Sequence, residues 1–270
     1  MYVILINRYV KQLERIIFME LTHLFFLCPF MFLAGFVDSV AGGGGLISIP
    51  AYMATGMPMH FVYGCNKFSN SCGTTLATVK YFKEGALDLK VAVVSAIGAF
   101  IGAGIATKIV LLLDNDLLKK MLIIILPIMA FIILFRLNKI EIKDTEDTQK
   151  KKSLVLALLI GFICGGYDGL FGPGTGTIAI MAFALILKYE ITTASGNAKL
   201  LNLMSNYASV IGYFISGSIY FQFAIPCAIF NIAGSYIGSS LAIKNGIKFI
   251  RPMMVIVVIL LLGKTILEMI

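Results

Sequence analysis

The sequence predicts an all-α polytopic membrane protein built from two related halves. Of its 270 residues, 59% are hydrophobic and 13% are charged, against about 45–50% and about 25% in a soluble domain. An apolar excess of this size is more than a globular core can remove from water, whereas a bilayer accommodates it. Short polar stretches separate the apolar segments, which is the pattern of helices that cross a membrane repeatedly.

Ten apolar segments follow one another, five on each side of one long polar stretch. They lie at 21–40, 45–58, 65–82, 91–113 and 117–136, and at 153–169, 174–189, 197–216, 219–243 and 252–270. A spanning helix needs roughly 20 apolar residues. The first two segments of each half fall at or below that length and are separated by glycines. We therefore predict short, broken or re-entrant helices at the glycine clusters.

The two halves align through their rare polar residues. GFVDSVAGGGG (35–45) aligns with GGYDGLFGPGT (165–175), and NKFSN (66–70) aligns with NAKLLN (197–202) after one small gap. A chance match between apolar segments would not preserve polar residues in order. The halves are therefore predicted to be homologous repeats.

These observations divide the chain at the stretch RLNKIEIKDTEDTQKKK. Residues 1–20 are an N-terminal flanking segment, 21–136 the first transmembrane repeat, 137–152 a polar linker and 153–270 the second transmembrane repeat. The linker is rich in lysine, which predicts a cytoplasmic location. Five segments per half is an odd number and favours inverted repeats. If each glycine-broken pair makes one crossing, each half has four and the repeats are parallel.

The glycine clusters form the first candidate site. Glycine lets the backbone leave helical geometry and approach a ligand closely, and a restarting helix directs N–H groups and the positive end of its dipole at the gap. Two such breaks facing each other would make an anion site, whereas close helix packing is the alternative. The residues assigned to this site are Gly42, Gly43, Gly44, Gly45, Gly172, Pro173 and Gly174.

An aspartate lies one helical turn before each glycine cluster. Asp38 and Asp168 are the carboxylates inside the apolar cores of their segments, where a charge is costly, so both are expected to face the bundle interior. Each has two candidate roles. It holds the glycine loop by accepting backbone hydrogen bonds, or it carries a coupling proton, because desolvation favours the neutral carboxyl.

The third segment of each half carries a polar stripe. The candidate substrate-binding residues in it are Asn66, Lys67, Asn70, Asn197, Lys199 and Asn202, and further hydroxyl and amide side chains, including Ser205 and Asn206, accompany them. A polar stripe facing lipid would be costly, so it should line the interior. The two lysines either contact the substrate or snorkel to the membrane surface.

Other functional classes lack their sequence signatures. The five cysteines form no CxxC pair and the two histidines form no metal motif, so we expect no metal and no cofactor. No serine elbow, Cys–His pair or phosphate loop occurs, so the chain is not predicted to be an enzyme. The net charge of +8 lies at segment ends and in the linker, which argues against nucleic-acid binding.

The motifs GFVDSVAGGGG and DGLFGPGTG resemble those of the TauE/SafE family, also called the sulfite exporter or toluenesulfonate uptake permease family. The Asn66-Lys67 pair and the GNAK of the second half fit the same pattern, and the resemblance covers about residues 22–268. It implies a multi-pass permease of the inner membrane, associated with sulfite, organosulfonates and related sulfur-containing anions.

The expected function is secondary transport of a small anion by alternating access. A passive channel or pore is the alternative, and it would need a continuous hydrated path. The expected partners are a small anionic substrate, the lipid bilayer and a coupling proton or other ion. The sequence leaves open the substrate, the direction of transport, the coupling ion and whether the chain forms a homo-oligomer.

Overall fold

The computed structural model describes residues 2–122, 124, 153–256 and 259, with side chains from residue 22 onward. These residues are helical apart from short connections, as predicted. The helices are α1 (Tyr2–Ala41), α2 (Gly45–Ala54), α3 (Met59–Lys83), α4 (Leu89–Leu112), α5 (Leu154–Leu170), α6 (Thr175–Leu185), α7 (Ile191–Ile215) and α8 (Phe221–Asn245). Residues 115–122 and 247–256 are helical as well.

The predicted segment boundaries relate to these helices in three ways. Residues 2–20 are continuous with the first apolar segment, so the predicted flanking segment and that segment form the single helix α1. The glycine-separated pairs each become two helices, α1 and α2 in the first half and α5 and α6 in the second. The predicted linker 137–152 lies outside the described residues, as do most of 117–136 and of 252–270.

Three of the described helical stretches are long and apolar enough to cross a bilayer: Thr22–Ala41, Leu89–Leu112 and Phe221–Asn245. Large apolar side chains such as Ile97 and Ile105 are exposed on the outer face of α4, as expected for a surface that contacts lipid. Helices α2, α5 and α6 are apolar but have only 10, 17 and 11 residues.

Glycines bring the long helices into close contact. Helix α4 packs along α5, where a Cβ atom added to Gly98 would lie 2.3 Å from the carbonyl oxygen of Leu158. Helix α1 packs along α8 in the same way, and a Cβ atom on Gly234 would lie 2.0 Å from the Phe32 carbonyl oxygen. Small residues at such crossings let two backbones approach. Helices α3 and α7, which carry the polar stripes, contact each other between these two pairs.

Candidate functional site

Two glycine turns meet at the centre of the bundle. The first glycine turn (residues 42–44) joins α1 to α2, and the second glycine turn (residues 171–174) joins α5 to α6. Gly42 and Gly172 have φ values of +75° and +88°, a conformation that glycine adopts without a steric penalty. The N–H of Gly176 donates to the carbonyl oxygen of Gly42 at 3.2 Å. The first glycine turn is therefore in direct backbone contact with the start of α6, the helix that follows the second turn.

A cavity of about 20 Å³ lies between the two turns and the polar faces of α3 and α7. A space of this size holds about one water molecule. The predicted site residues that line it are Asp38, Gly42, Gly45, Asn66, Lys67, Asn70, Asp168, Gly172 and Asn202, and Thr175, Gly176 and Asn206 line it without having been assigned. Residues from both halves of the chain thus share one cavity.

Six of the predicted residues do not line the cavity: Gly43, Gly44, Pro173, Gly174, Asn197 and Lys199. Gly44 and Lys199 lie directly behind it, in contact with Asp38. Asn197 has a separate role, because its side-chain oxygen accepts the N–H of Asp88 at 2.9 Å, at the start of α4.

Two buried ion pairs join the halves. The ammonium nitrogen of Lys67 lies 2.6 Å from Asp168 Oδ2, and that of Lys199 lies 3.3 Å from Asp38 Oδ2. Both lysines are buried, so in this structure they turn inward rather than snorkel. A buried ion pair repays its desolvation only when further hydrogen bonds satisfy it. The Ser205 hydroxyl supplies one, donating to Asp168 Oδ2 at 2.6 Å.

Asp38 is bonded to its own turn. Its Oδ1 accepts the N–H of Gly44 at 3.3 Å, and its main-chain oxygen accepts the N–H of Gly42 at 2.8 Å. Lys199 donates to that same main-chain oxygen as well as to the carboxylate. The pair formed by Asp38 and Lys199 therefore fixes the first glycine turn.

Different side chains hold the second glycine turn. The Tyr167 hydroxyl donates to the carbonyl oxygen of Pro173 at 2.7 Å, and the Thr175 hydroxyl donates to that of Gly172 at 2.8 Å. Both donors flank the turn in sequence. The carboxylate of Asp168 is thus not needed to close this turn.

The asparagines of α3 and α7 differ in how far they are satisfied. Asn66 Oδ1 accepts from Asn70 Nδ2 at 3.0 Å and from the Ser48 hydroxyl, and Asn70 Oδ1 accepts from Asn231 Nδ2 at 2.9 Å. On α7, Asn202 is 4% exposed and its Oδ1 has no hydrogen-bond partner in the described structure. An unpaired buried amide oxygen is costly, so Asn202 retains an acceptor for a further hydrogen-bond donor.

Several backbone N–H groups that the sequence assigned to an anion are used internally. Those of Gly42, Gly44 and Gly172 donate to Asp38 O, Asp38 Oδ1 and Tyr167 O. In this conformation they point at protein oxygens rather than at a ligand. The side chains therefore contribute more of the site, and the backbone less, than the glycine clusters predict.

Besides Gly176, three residues that contribute side chains to the site were not assigned to it from the sequence. Ser205 and Asn206 belong to the polar stripe of α7, and their position beside Asn202 was a usable signal. Thr175 is the first residue of the helix that restarts after the second turn. Within the described residues, no three His, Cys, Asp or Glu side chains are grouped as a metal site requires.

A buried, charge-balanced polar cavity at two helix interruptions, inside an apolar helical bundle, is the arrangement found in membrane transporters. The model of the family described as sulfite exporter TauE/SafE matches residues 27–265. The chain belongs to this family of membrane transporters, which confirms the resemblance seen in the sequence.

Several relatives are similar over most of their length. A probable membrane transporter protein of Haemophilus influenzae is 32% identical over 233 residues, covering 86% of this chain and 90% of the relative. The probable membrane transporter protein ORF9 of a Sinorhizobium species is 34% identical over 240 residues, or 87% and 89% of the two chains. The probable membrane transporter protein YfcA of Escherichia coli K12 is 32% identical over 226 residues, or 83% and 82%. No solved structure matches this chain.

Proposed function

We propose that this protein is a multi-pass secondary transporter of the inner membrane that moves a small oxoanion of the sulfite or organosulfonate class by alternating access. The observation that supports it most is the central cavity, to which Lys67 comes from one half and Asn202 and Asn206 from the other. A ligand there would contact both halves, so its binding and release would depend on their relative movement.

The donor chemistry of the cavity favours an oxoanion. Lysine ammonium and asparagine amide groups donate hydrogen bonds to oxygen acceptors, and both kinds of group line the cavity. Without a ligand, the two lysines and two aspartates balance in charge, so the cavity is neutral when it is closed. The sulfur oxoanion class comes from the family description.

The size of the cavity supports a moving site rather than an open pore. About 20 Å³ is enough for about one water molecule, and an oxoanion is larger. The site must widen to admit its substrate, as an alternating-access transporter does. A passive channel would need a continuous hydrated path through the same region.

We also propose that the halves are inverted structural repeats. Helices α3 and α7 both have 25 residues, and Lys67 and Lys199 occupy the same position counted from the first residue of each. Aligned in this way without a gap, Asn66 matches Ala198. Asn197 therefore has no counterpart among the cavity-lining residues of α3, which agrees with its position outside the cavity. Helical residues after α4 and after α8 begin a fifth segment in each half, and the repeats are inverted if α2 and α6 each count as a crossing.

A flux panel in proteoliposomes tests this function. Uptake of radiolabelled sulfite, sulfate, thiosulfate and sulfoacetate is compared with uptake of a monovalent cation, with and without a pH gradient. We expect saturable uptake of at least one anion and none of the cation. Asn202→Leu should lower that uptake at least tenfold, because it removes an amide from the cavity. Glu84→Gln, at an exposed position, should leave uptake unchanged. Transport of the cation without any anion would contradict the proposal.

A further inference from the structure

We infer that Asp168 is the proton-coupling residue and competes with the transported anion for Lys67, whereas Asp38 and Lys199 hold the first glycine turn. This inference rests on the proposed anion transport and deepens it. The sequence left two roles open for each aspartate, holding a glycine turn or carrying a proton. We assign the proton to Asp168 and the turn to Asp38.

The partners of Asp168 lie across the cavity. Among the described residues, its carboxylate accepts from Lys67 on α3 and from Ser205 on α7, both through Oδ2. Neither partner belongs to the second glycine turn. Loss of the negative charge on Asp168 would therefore release α3 and α7 and leave the turn in place.

The turn beside Asp168 has its own supports. Tyr167 and Thr175 donate to Pro173 and Gly172. At the first turn the sequence alignment places Val37 at the position of Tyr167 and Gly45 at that of Thr175, and a different hydroxyl, that of Ser48, donates to the carbonyl oxygen of Gly44 at 3.0 Å. Unlike Asp168, Asp38 is itself bonded to its turn, because its Oδ1 accepts the N–H of Gly44 at 3.3 Å.

Among the described residues, the charged groups that share the cavity with Asp168 are Lys67 and Asp38, and the other titratable groups near it are a thiol and phenols. These groups are Cys164 and Tyr167 on α5, Tyr213 on α7 and Tyr63 on α3.

The remaining neighbours add no charge. Helix α6 has no titratable side chain, and the charged residues of α4, Lys90 and Lys108, are exposed. Lys67 is therefore the cation that responds when Asp168 takes up a proton, while the Asp38–Lys199 pair stays balanced at the other side of the cavity.

Proton and anion binding at this site must favour each other. When Asp168 is ionised, it neutralises Lys67 and repels an anion. When a proton binds to its carboxylate oxygen, Lys67 remains an ammonium ion with an unpaired buried charge, which is unfavourable until an anion arrives. By linkage, each ligand raises the affinity of the other by the same factor. One proton then enters with each anion, so a monoanion moves without net charge and a dianion moves with one net negative charge.

Equilibrium binding to the purified full chain tests this division. Radiolabelled sulfate, thiosulfate and sulfoacetate are measured in parallel, because their charge is constant between about pH 6 and pH 9. For the wild type we expect affinity to fall by about tenfold per pH unit above a midpoint, the slope for one coupled proton. Asp168→Asn, which imitates the protonated carboxyl, should keep the low-pH affinity of the wild type at every pH.

Asp38→Asn is the matched control at the other carboxylate. It should lower thermal stability and keep the one-proton slope. The inference would be overturned if the anion affinity of Asp168→Asn changed with pH, or if the anion affinity of Asp38→Asn did not. Wild-type binding that does not change with pH would overturn the coupling and leave anion transport standing, whereas no binding of any of the anions would count against the proposed function itself.

Ser205→Ala supplies a milder test in case Asp168→Asn does not fold. The ionised carboxylate loses a hydrogen-bond donor, so it takes up a proton more readily. We expect the midpoint of the pH dependence to move to higher pH. An unchanged midpoint would contradict the assignment of Asp168.

Discussion

The two glycine turns have similar sequences and different supports. Each follows an aspartate by one helical turn, and each aspartate pairs with a lysine from the other half. In the first turn the aspartate bonds to the turn itself, whereas in the second a tyrosine and a threonine do so. The backbone differs as well, because Gly44 has a φ of −57° and Gly174 a φ of +79°, so two similar sequences are held in different ways.

The largest expected effect tests whether the two turns depend on each other. A Cβ atom on Gly176 would lie 2.3 Å from the Cα atom of Gly42, and neither backbone can yield without moving a turn. We predict that Gly176→Ala abolishes recovery of monodisperse protein in detergent, as measured by size-exclusion chromatography. The control is Gly104→Ala, where a Cβ atom meets nothing within 4 Å. It should raise stability by about 0.5–1 kcal/mol, because alanine is the better helix former. Equal recovery of both variants would mean that the first turn and the start of α6 do not touch.

The next effect separates the two carboxylates by stability. Asp38→Asn and Asp168→Asn each leave a buried lysine without its carboxylate, at a cost of about 3–5 kcal/mol. We predict that saturating anion restores the thermal stability of Asp168→Asn, since Lys67 lines the cavity, and does not restore that of Asp38→Asn, since Lys199 does not. Melting curves with and without the anion measure this. If the anion restores the melting temperature of both variants, or of neither, the two carboxylates do not differ in the way proposed.

The smallest effect concerns the side chains that support the second turn. Tyr167→Phe removes the hydrogen bond to Pro173 and should cost about 1 kcal/mol, visible as a lower melting temperature. Tyr236→Phe removes a hydroxyl from an exposed tyrosine and serves as the control. If Tyr167→Phe and Tyr236→Phe melt alike, the Tyr167 hydroxyl does not stabilise the second turn.

Glycines in succession cannot be explained by apolar composition, and the structure has short connections at residues 42–44 and 171–174. The sequence also predicted that the polar stripe of α7 faces inward, and Asn202 lies in the cavity. These features follow from local sequence and the cost of polar groups in lipid.

Contacts between distant residues could not be predicted in the same way. Lys67 and Asp168 are 101 residues apart, and nothing local indicates that each lysine pairs with the aspartate of the opposite half. The sequence alignment paired Asn66 with Asn197 by placing a gap at Ala198. If α3 and α7 are instead aligned without a gap, Asn66 matches Ala198, one residue after Asn197. A one-residue shift turns a side chain by about 100° around a helix, and it moves Asn197 to the contact with Asp88.

The central claim is that a small oxoanion binds in the cavity between the two glycine turns. Substrate protection of a single cysteine tests it most directly. Asn206→Cys is made in a protein whose five native cysteines are replaced by alanine or serine, and the rate of its labelling by a small thiol reagent is measured with the transported anion and with a cation. We predict that the anion slows labelling in proportion to its occupancy and that the cation does not. Labelling at the same rate with and without an anion that the protein demonstrably transports would place the binding site elsewhere.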